Sequence, residues 1–148
     1  MTPPRLDTSI IQTRLRMIED SLAALGSIAP IDIDNLPLAA IEQAAVERLV
    51  QLIVDLAIDI NSHVLVAAGH PAPRTGRESF IEMAEIGAIE IDLGKQLAPS
   101  AGLRNLLVHQ YVTIRHELVA MGANSTLELF PGYVSGVAGY LQQYGPST

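Results

Sequence analysis

Between Leu49 and Ala67 the apolar residues Leu49, Leu52, Ile53, Leu56, Ile60, Val64 and Ala67 recur at spacings that keep one face of a helix. Gly69 and Pro71 stop the run, and Pro37 is placed in its first turn. A helix of about thirty residues, rising 1.5 Å per residue, is a rod about 45 Å long. A rod of that length with an apolar stripe needs other helices to cover it, so a helical bundle is the expected architecture. Asp55 and Asp59 break the greasiest stretch, which predicts a bundle helix and not a membrane span.

The rest of the chain agrees. Leu15, Ile18, Leu22 and Leu25 predict a first helix over 8–25, capped by Asp7 or Thr8. Residues 26–37, with Pro30, Pro37 and two aspartates, read as a loop, and Asp32 and Asp34 serve capping and solubility. Short helices are predicted over 77–86 and 89–97. A break at Pro99 and Gly102 follows, then a helix of about three turns capped by Ser100. Leu127, Phe130, Val134, Val137 and Leu141 form a last helix, which Pro131 and Gly132 should kink or divide; Tyr133, Tyr140 and Tyr144 read as its packing residues. Period-two alternation is missing, and no repeat or linker divides the chain. The expectation is one all-α domain over residues 1–148, an antiparallel bundle of four to five main helices.

Composition limits what such a bundle can do. Hydrophobic residues make up 49% and charged residues 17%, against roughly 25% charged in an average soluble protein. With a mean hydropathy of +0.30, some apolar surface is expected to be buried between chains, in a homodimer. Nine basic against sixteen acidic residues leave a net charge of -7. No overall positive field draws in a nucleic acid, and any polyanion site must be local. A single lysine, Lys95, excludes a polylysine membrane patch, and the absence of cysteine excludes disulfides, thiol catalysis and thiolate metal sites. The opening MTPPRLDTSIIQTRLRMIED lacks a secretory apolar stretch, so a cytoplasmic protein without a membrane partner is expected.

The segment that carries chemistry is Arg104-Asn105-Leu106-Leu107-Val108-His109-Gln110-Tyr111. At about 100° per residue, with Arg104 at zero, Tyr111 falls at about -20°, Val108 at about 40°, Asn105 at about 100° and His109 at about 140°. Leu103, Leu106 and Leu107 form the opposite stripe and are expected to enter the core. The polar face, with Val108 and Val112 among it, suits a contact between subunits. Arg104 offers a permanently charged fork for a phosphate, His109 a proton carrier near neutrality, and Asn105 an amide that orients either. Together they suffice for metal-independent RNA cleavage, in which a ribose 2′-hydroxyl attacks the adjacent phosphate, His109 moves a proton and Arg104 stabilises the added charge. One histidine does not easily serve as base and acid together, and a two-fold dimer supplies the second. By spacing alone, a surface arginine beside a histidine bonded to a carbonyl explains the pattern equally well.

GLRNLLVHQY resembles the Arg, four residues, His, one residue, Tyr signature of HepT-like toxins, a branch of the all-helical HEPN superfamily. IDINSHVL at 58–65, the glycine-proline loop, and the Arg-Glu-Ser-Phe helix start at 77–80 stand in the same order as in that family, over most of the chain from Glu42 onward. The resemblance implies an all-α dimer and a metal-independent ribonuclease with Arg104, Asn105 and His109 at the dimer cleft. It also implies the toxin of a toxin–antitoxin pair, with tRNA or mRNA as substrate. The partner it implies is an MntA-type nucleotidyltransferase antitoxin that attaches AMP to the motif tyrosine, here Tyr111. The family's long last helix is uninterrupted, whereas this chain has Pro131-Gly132.

Two other readings stand beside this one. A non-catalytic HEPN module that binds a nucleotidyltransferase or a nucleotide fits the negative charge. Asp59 and His63, four apart, could share a metal, although they equally read as a pair that bond each other; no bound metal or cofactor is expected. His70 reads as an exposed loop residue and His116-Glu117 as a solvated turn. Arg74, Arg77 and Arg115 are the remaining arginines that could strengthen a phosphate cleft.

Overall fold

The computed structural model describes residues 5–109 and 115–144. Five α-helices follow in order: α1 (Thr8–Gly26), α2 (Ala40–Ala67), α3 (Gly76–Glu85), α4 (Ile91–Val108) and α5 (His116–Leu141). Single 3-10 turns lie at Ile33–Asn35 and Gln142–Tyr144, and no strand occurs among the described residues. The all-α bundle expected from the sequence is thus what forms.

α1 begins where Asp7 accepts hydrogen bonds from the Ser9 and Ile10 amides, and it buries Ile11, Leu15, Ile18, Leu22 and Leu25 along one face. α2, 28 residues and about 42 Å long, touches every other α-helix. By length and composition this helix could cross a bilayer despite Asp55 and Asp59. Its apolar content is instead explained by Val46, Val50, Ile53, Val54, Ala57, Ile60, Val64 and Leu65, all buried within the bundle. Pro37 lies outside α2 and not in its first turn. Leu36 and Leu38 pack against the core and the chain stays extended through Ala39, so the first helical bond runs from the Gln43 amide to the Ala39 carbonyl. The preceding loop is pinned to α5, where Asn124 both accepts from the Ile31 amide and donates to its carbonyl.

The expected break at Pro99 and Gly102 does not occur: α4 runs unbroken through both. Leu97, Ala98 and Ala101 are buried on either side of Pro99, and that packing offsets the roughly 3 kcal/mol that an interior proline costs. Ser100 is no cap; its hydroxyl donates to the Leu97 carbonyl. Gly94 marks close packing of α4 on α3, since a Cβ there would lie 2.9 Å from the Ala84 Cβ and 3.0 Å from the Phe80 carbonyl oxygen. Pro131 and Gly132 likewise do not divide α5. Both are exposed, while Phe130, Tyr133, Val134 and Val137 hold the helix to the core.

The centre of the bundle is an aromatic cluster in which Phe80 meets Phe130 and Tyr133 edge-on, with ring centroids 6.2 and 5.9 Å apart. The Tyr133 hydroxyl donates to Asn61 Oδ1 at 2.6 Å, Asn61 Nδ2 donates to Ser79 Oγ at 2.9 Å, and Ser79 donates to the Gly76 carbonyl at 2.6 Å. This buried chain joins α5, α2 and the start of α3. Burial, and then the negative charge of Asp59, push the Tyr133 phenol well above its ordinary value of 10.0. The fold therefore favours the neutral phenol. That stability is complete below the unfolded tyrosine value of about 10 and is lost as pH rises beyond it. Tyr133→Phe should cost about 1 kcal/mol at neutral pH, and the gap to wild type should narrow above about pH 10. Urea denaturation at the two pH values reads this directly; a constant gap would remove the role of the buried phenol.

Candidate active site

Arg104 and Asn105 sit on the last turns of α4 and face a cleft of about 600 Å³ between α2, the start of α3 and α4. α2 contributes Asp55, Ile58, Asp59 and Ser62 to its wall, and the start of α3 contributes Gly76 and Arg77. Gly76 permits this approach: a Cβ there would come 2.6 Å from Ile58 Cδ1 and 3.3 Å from the Ala101 Cβ. Thr75 ends the loop and caps α3 by accepting from the Glu78 amide.

Within the cleft the Arg104 guanidinium is held from two sides. Its Nε donates to the Asp55 carboxylate, and its Nη1 donates to Asn105 Oδ1 at 3.2 Å. Each partner of the Arg104–Asp55 pair is about one-third exposed, at 33% and 32%, so the guanidinium is oriented while still open to a ligand. Asn105 accordingly orients the arginine. In the sequence Asp55 stands out only as a break in hydropathy. The available signal was two aspartates, four apart, on an otherwise apolar helix face, which nothing local requires.

His109 stands where α4 ends. Its amide still donates to the Asn105 carbonyl at 3.0 Å, but its backbone (φ -101°, ψ 49°) has left the helix. The helix expected to run on through His109 thus ends at Val108, with His109 as its C-cap. The imidazole is exposed and is not among the cleft-lining residues. Tyr111 and Val112 lie outside the described residues. Of the expected leucine stripe, Leu107 is buried, Leu103 is half-buried, and Leu106 is turned out with 50% of its surface exposed.

In the cleft wall, Asp59 is shared by Arg14 at 2.7 Å and His63 at 3.5 Å. The aspartate and histidine thus meet as a pair, with the second carboxylate oxygen taken by α1. Among the described residues no further acidic or histidine side chain joins them in a metal-holding group. His70 is half-buried, with Nδ1 3.0 Å from the Pro71 carbonyl oxygen. His116 opens α5 and is no turn, while Arg115 pairs with Glu117 at 3.1 Å. Arg77 is the one of the three further arginines that reaches the cleft wall.

The family model for HepT-like ribonucleases matches residues 18–135. A curated relative, the tRNA nuclease HepT of Aphanizomenon flos-aquae (strain 2012/KM1/D3), is 38% identical over 136 residues, 92% of each chain. The chain belongs to the HepT-like ribonuclease family. Among solved structures, YutE from Bacillus subtilis, a cytosolic protein of unknown function, superposes with a TM-score of 0.83 at 17% identity, covering 97% of this chain and 96% of YutE. A tri-AMPylated Shewanella oneidensis HEPN toxin, solved in complex with its MNT antitoxin, gives 0.76 at 23% identity over 88% of this chain and 97% of the toxin. These two likenesses show that the bundle is a HEPN fold.

Proposed function

We propose that this chain is the toxin of a toxin–antitoxin pair, a metal-independent endoribonuclease that works as a cytoplasmic homodimer. The observation that carries the reading is Arg104, fixed by Asp55 and Asn105 in the wall of a cleft, five residues before His109. A ribose 2′-hydroxyl attacks the adjacent phosphorus and the bond to the 5′-oxygen of the next nucleotide breaks, leaving a 2′,3′-cyclic phosphate. His109 takes the hydroxyl proton or supplies the leaving oxygen's proton, the second copy's His109 does the other, and Arg104 stabilises the negative charge that builds on phosphorus. The dimer is supported by apolar residues left exposed on the last turn of α4 and the first turns of α5: Leu106, Val108, Leu118 and Met121. The relative's name favours tRNA over mRNA as substrate.

Regulation follows the same reading. A nucleotidyltransferase antitoxin of the MntA type supplies AMP: the Tyr111 hydroxyl attacks the α-phosphorus of ATP and pyrophosphate leaves. Tyr111 is two residues past His109 in the sequence.

Incubation of the purified chain with tRNA and mRNA in EDTA should give cleavage, and His109→Ala should lower it by about 100-fold or more. Equal rates for the two proteins would overturn the catalytic role of His109. Absence of cleavage by both would leave the non-catalytic HEPN module, the reading that the net charge of -7 favours. With the antitoxin and ATP present, intact-mass spectrometry should show AMP on Tyr111; an unmodified tyrosine would remove the proposed control.

A further inference from the structure

Arg77 stands at the wrong end of its helix for a cation. It is the second residue of α3, where the helix N-terminus carries partial positive charge and disfavours a guanidinium. No carboxylate compensates it among the described residues, whose ion pairs are Arg14–Asp59, His63–Asp59, Arg104–Asp55 and Arg115–Glu117. Its side chain is exposed, and it lines the same cleft as Arg104. No ion pair among the described residues accounts for its charge.

A polyanion accounts for that charge. In a chain of net charge -7, attraction of RNA has to come from a local concentration of positive charge. Arg104 cannot supply it alone, because Asp55 offsets its charge toward an approaching phosphate. Arg77, across the cleft on α3, is the cation of the described cleft lining that no carboxylate offsets.

We propose that Arg77 binds a backbone phosphate of the RNA neighbouring the one at which Arg104 acts, so that guanidiniums from α3 and α4 grip the strand on either side of the cleft. The inference rests on the RNA-cleaving reading for the identity of its ligand. Arg77 touches no reacting atom in it; the contact is made equally in the ground state and the transition state, and its loss falls on KM more than on kcat.

The test compares wild type with Arg77→Ala and Arg77→Lys in three measurements: binding of fluorescein-labelled tRNA over a salt series, steady-state cleavage, and Tm. Arg77→Ala should bind about tenfold more weakly, with a salt slope shallower by about one and most of the cleavage loss in KM. Arg77→Lys should recover the slope, since the charge is kept. The Tm of Arg77→Ala should be unchanged or slightly raised, because a cation leaves the N-terminal turn. A wild-type slope and affinity in Arg77→Ala, with wild type cleaving RNA, would overturn the subsite and leave the ribonuclease reading intact. A lowered Tm that accounts for the loss would make Arg77 structural and overturn it as well. Arg77-dependent tRNA binding by a chain that cleaves nothing would remove the ribonuclease reading and keep the subsite, and a wild type that neither binds nor cleaves would overturn both.

Discussion

Arg104→Ala should lower RNA cleavage by about 100- to 1,000-fold, the loss expected when one preorganised donor to a developing negative charge is removed. The magnitude follows from how the guanidinium is held. Asp55 and Asn105 orient it before substrate arrives, so none of its ordering has to be supplied at the moment of reaction. Arg104→Lys should recover little of the loss, because an ammonium keeps the charge but not the planar fork that satisfies Asp55, Asn105 and a phosphate together. Stability should change by about 1 kcal/mol, since the Arg104–Asp55 pair is about one-third exposed and partly screened by solvent. The measurement is single-turnover cleavage of tRNA beside a urea melt. Cleavage within about threefold of wild type would be too small for a charge-stabilising donor and would reduce Arg104 to a surface residue.

Phe80→Ala should be the most damaging change to the fold, at about 3–5 kcal/mol. The side chain is fully buried and meets both Phe130 and Tyr133, which come from α5. Truncation leaves a cavity that the bundle cannot close easily, because the backbone around it is already tight where Gly94 approaches the Phe80 carbonyl. Against a total of about 5–15 kcal/mol for a domain, the variant should be partly unfolded at modest urea. Phe80→Leu, which refills most of the space, should cost less than half as much. The effect also reaches the cleft, because Phe80 anchors the helix whose first turn carries Gly76 and Arg77. A loss below about 1 kcal/mol in the alanine variant would show that the aromatic cluster does not hold α3 in place.

The parts of the fold that were legible in the sequence are those with local causes. The α1 stripe, the long α2 helix, the Asp7 cap and the Gly69 stop each depend on residues within a few positions of one another, and the structure shows them, although of the stripe expected on α2 only Ile53, Ile60 and Val64 are fully buried while Leu49, Leu52, Leu56 and Ala67 are half-buried. Local rules fail at Pro99, Gly102, Pro131 and Gly132, where proline and glycine predict breaks that α4 and α5 do not have. Their propensity costs are real, but side chains contributed by other helices outweigh them, and those contacts have no signature within a window of ten residues. At the far end of α4 the helix stops at Val108 with His109 as its cap, and no local signal in the sequence marks that boundary.

The Arg104, Asn105 and His109 segment, and with it the family, could be read from the chain alone, because the chemistry of those side chains and their spacing are properties of the sequence itself. What they face was decided by tertiary packing. Asp55 meets Arg104 across 49 positions of chain, Asn61 meets Tyr133 across 72, and Arg77 enters the cleft only because Gly76 lets α3 close onto Ile58 and Ala101. Periodicity specifies which face of a helix is buried. Which charge is paired and which is left open for a ligand depends on how those faces are brought together in three dimensions.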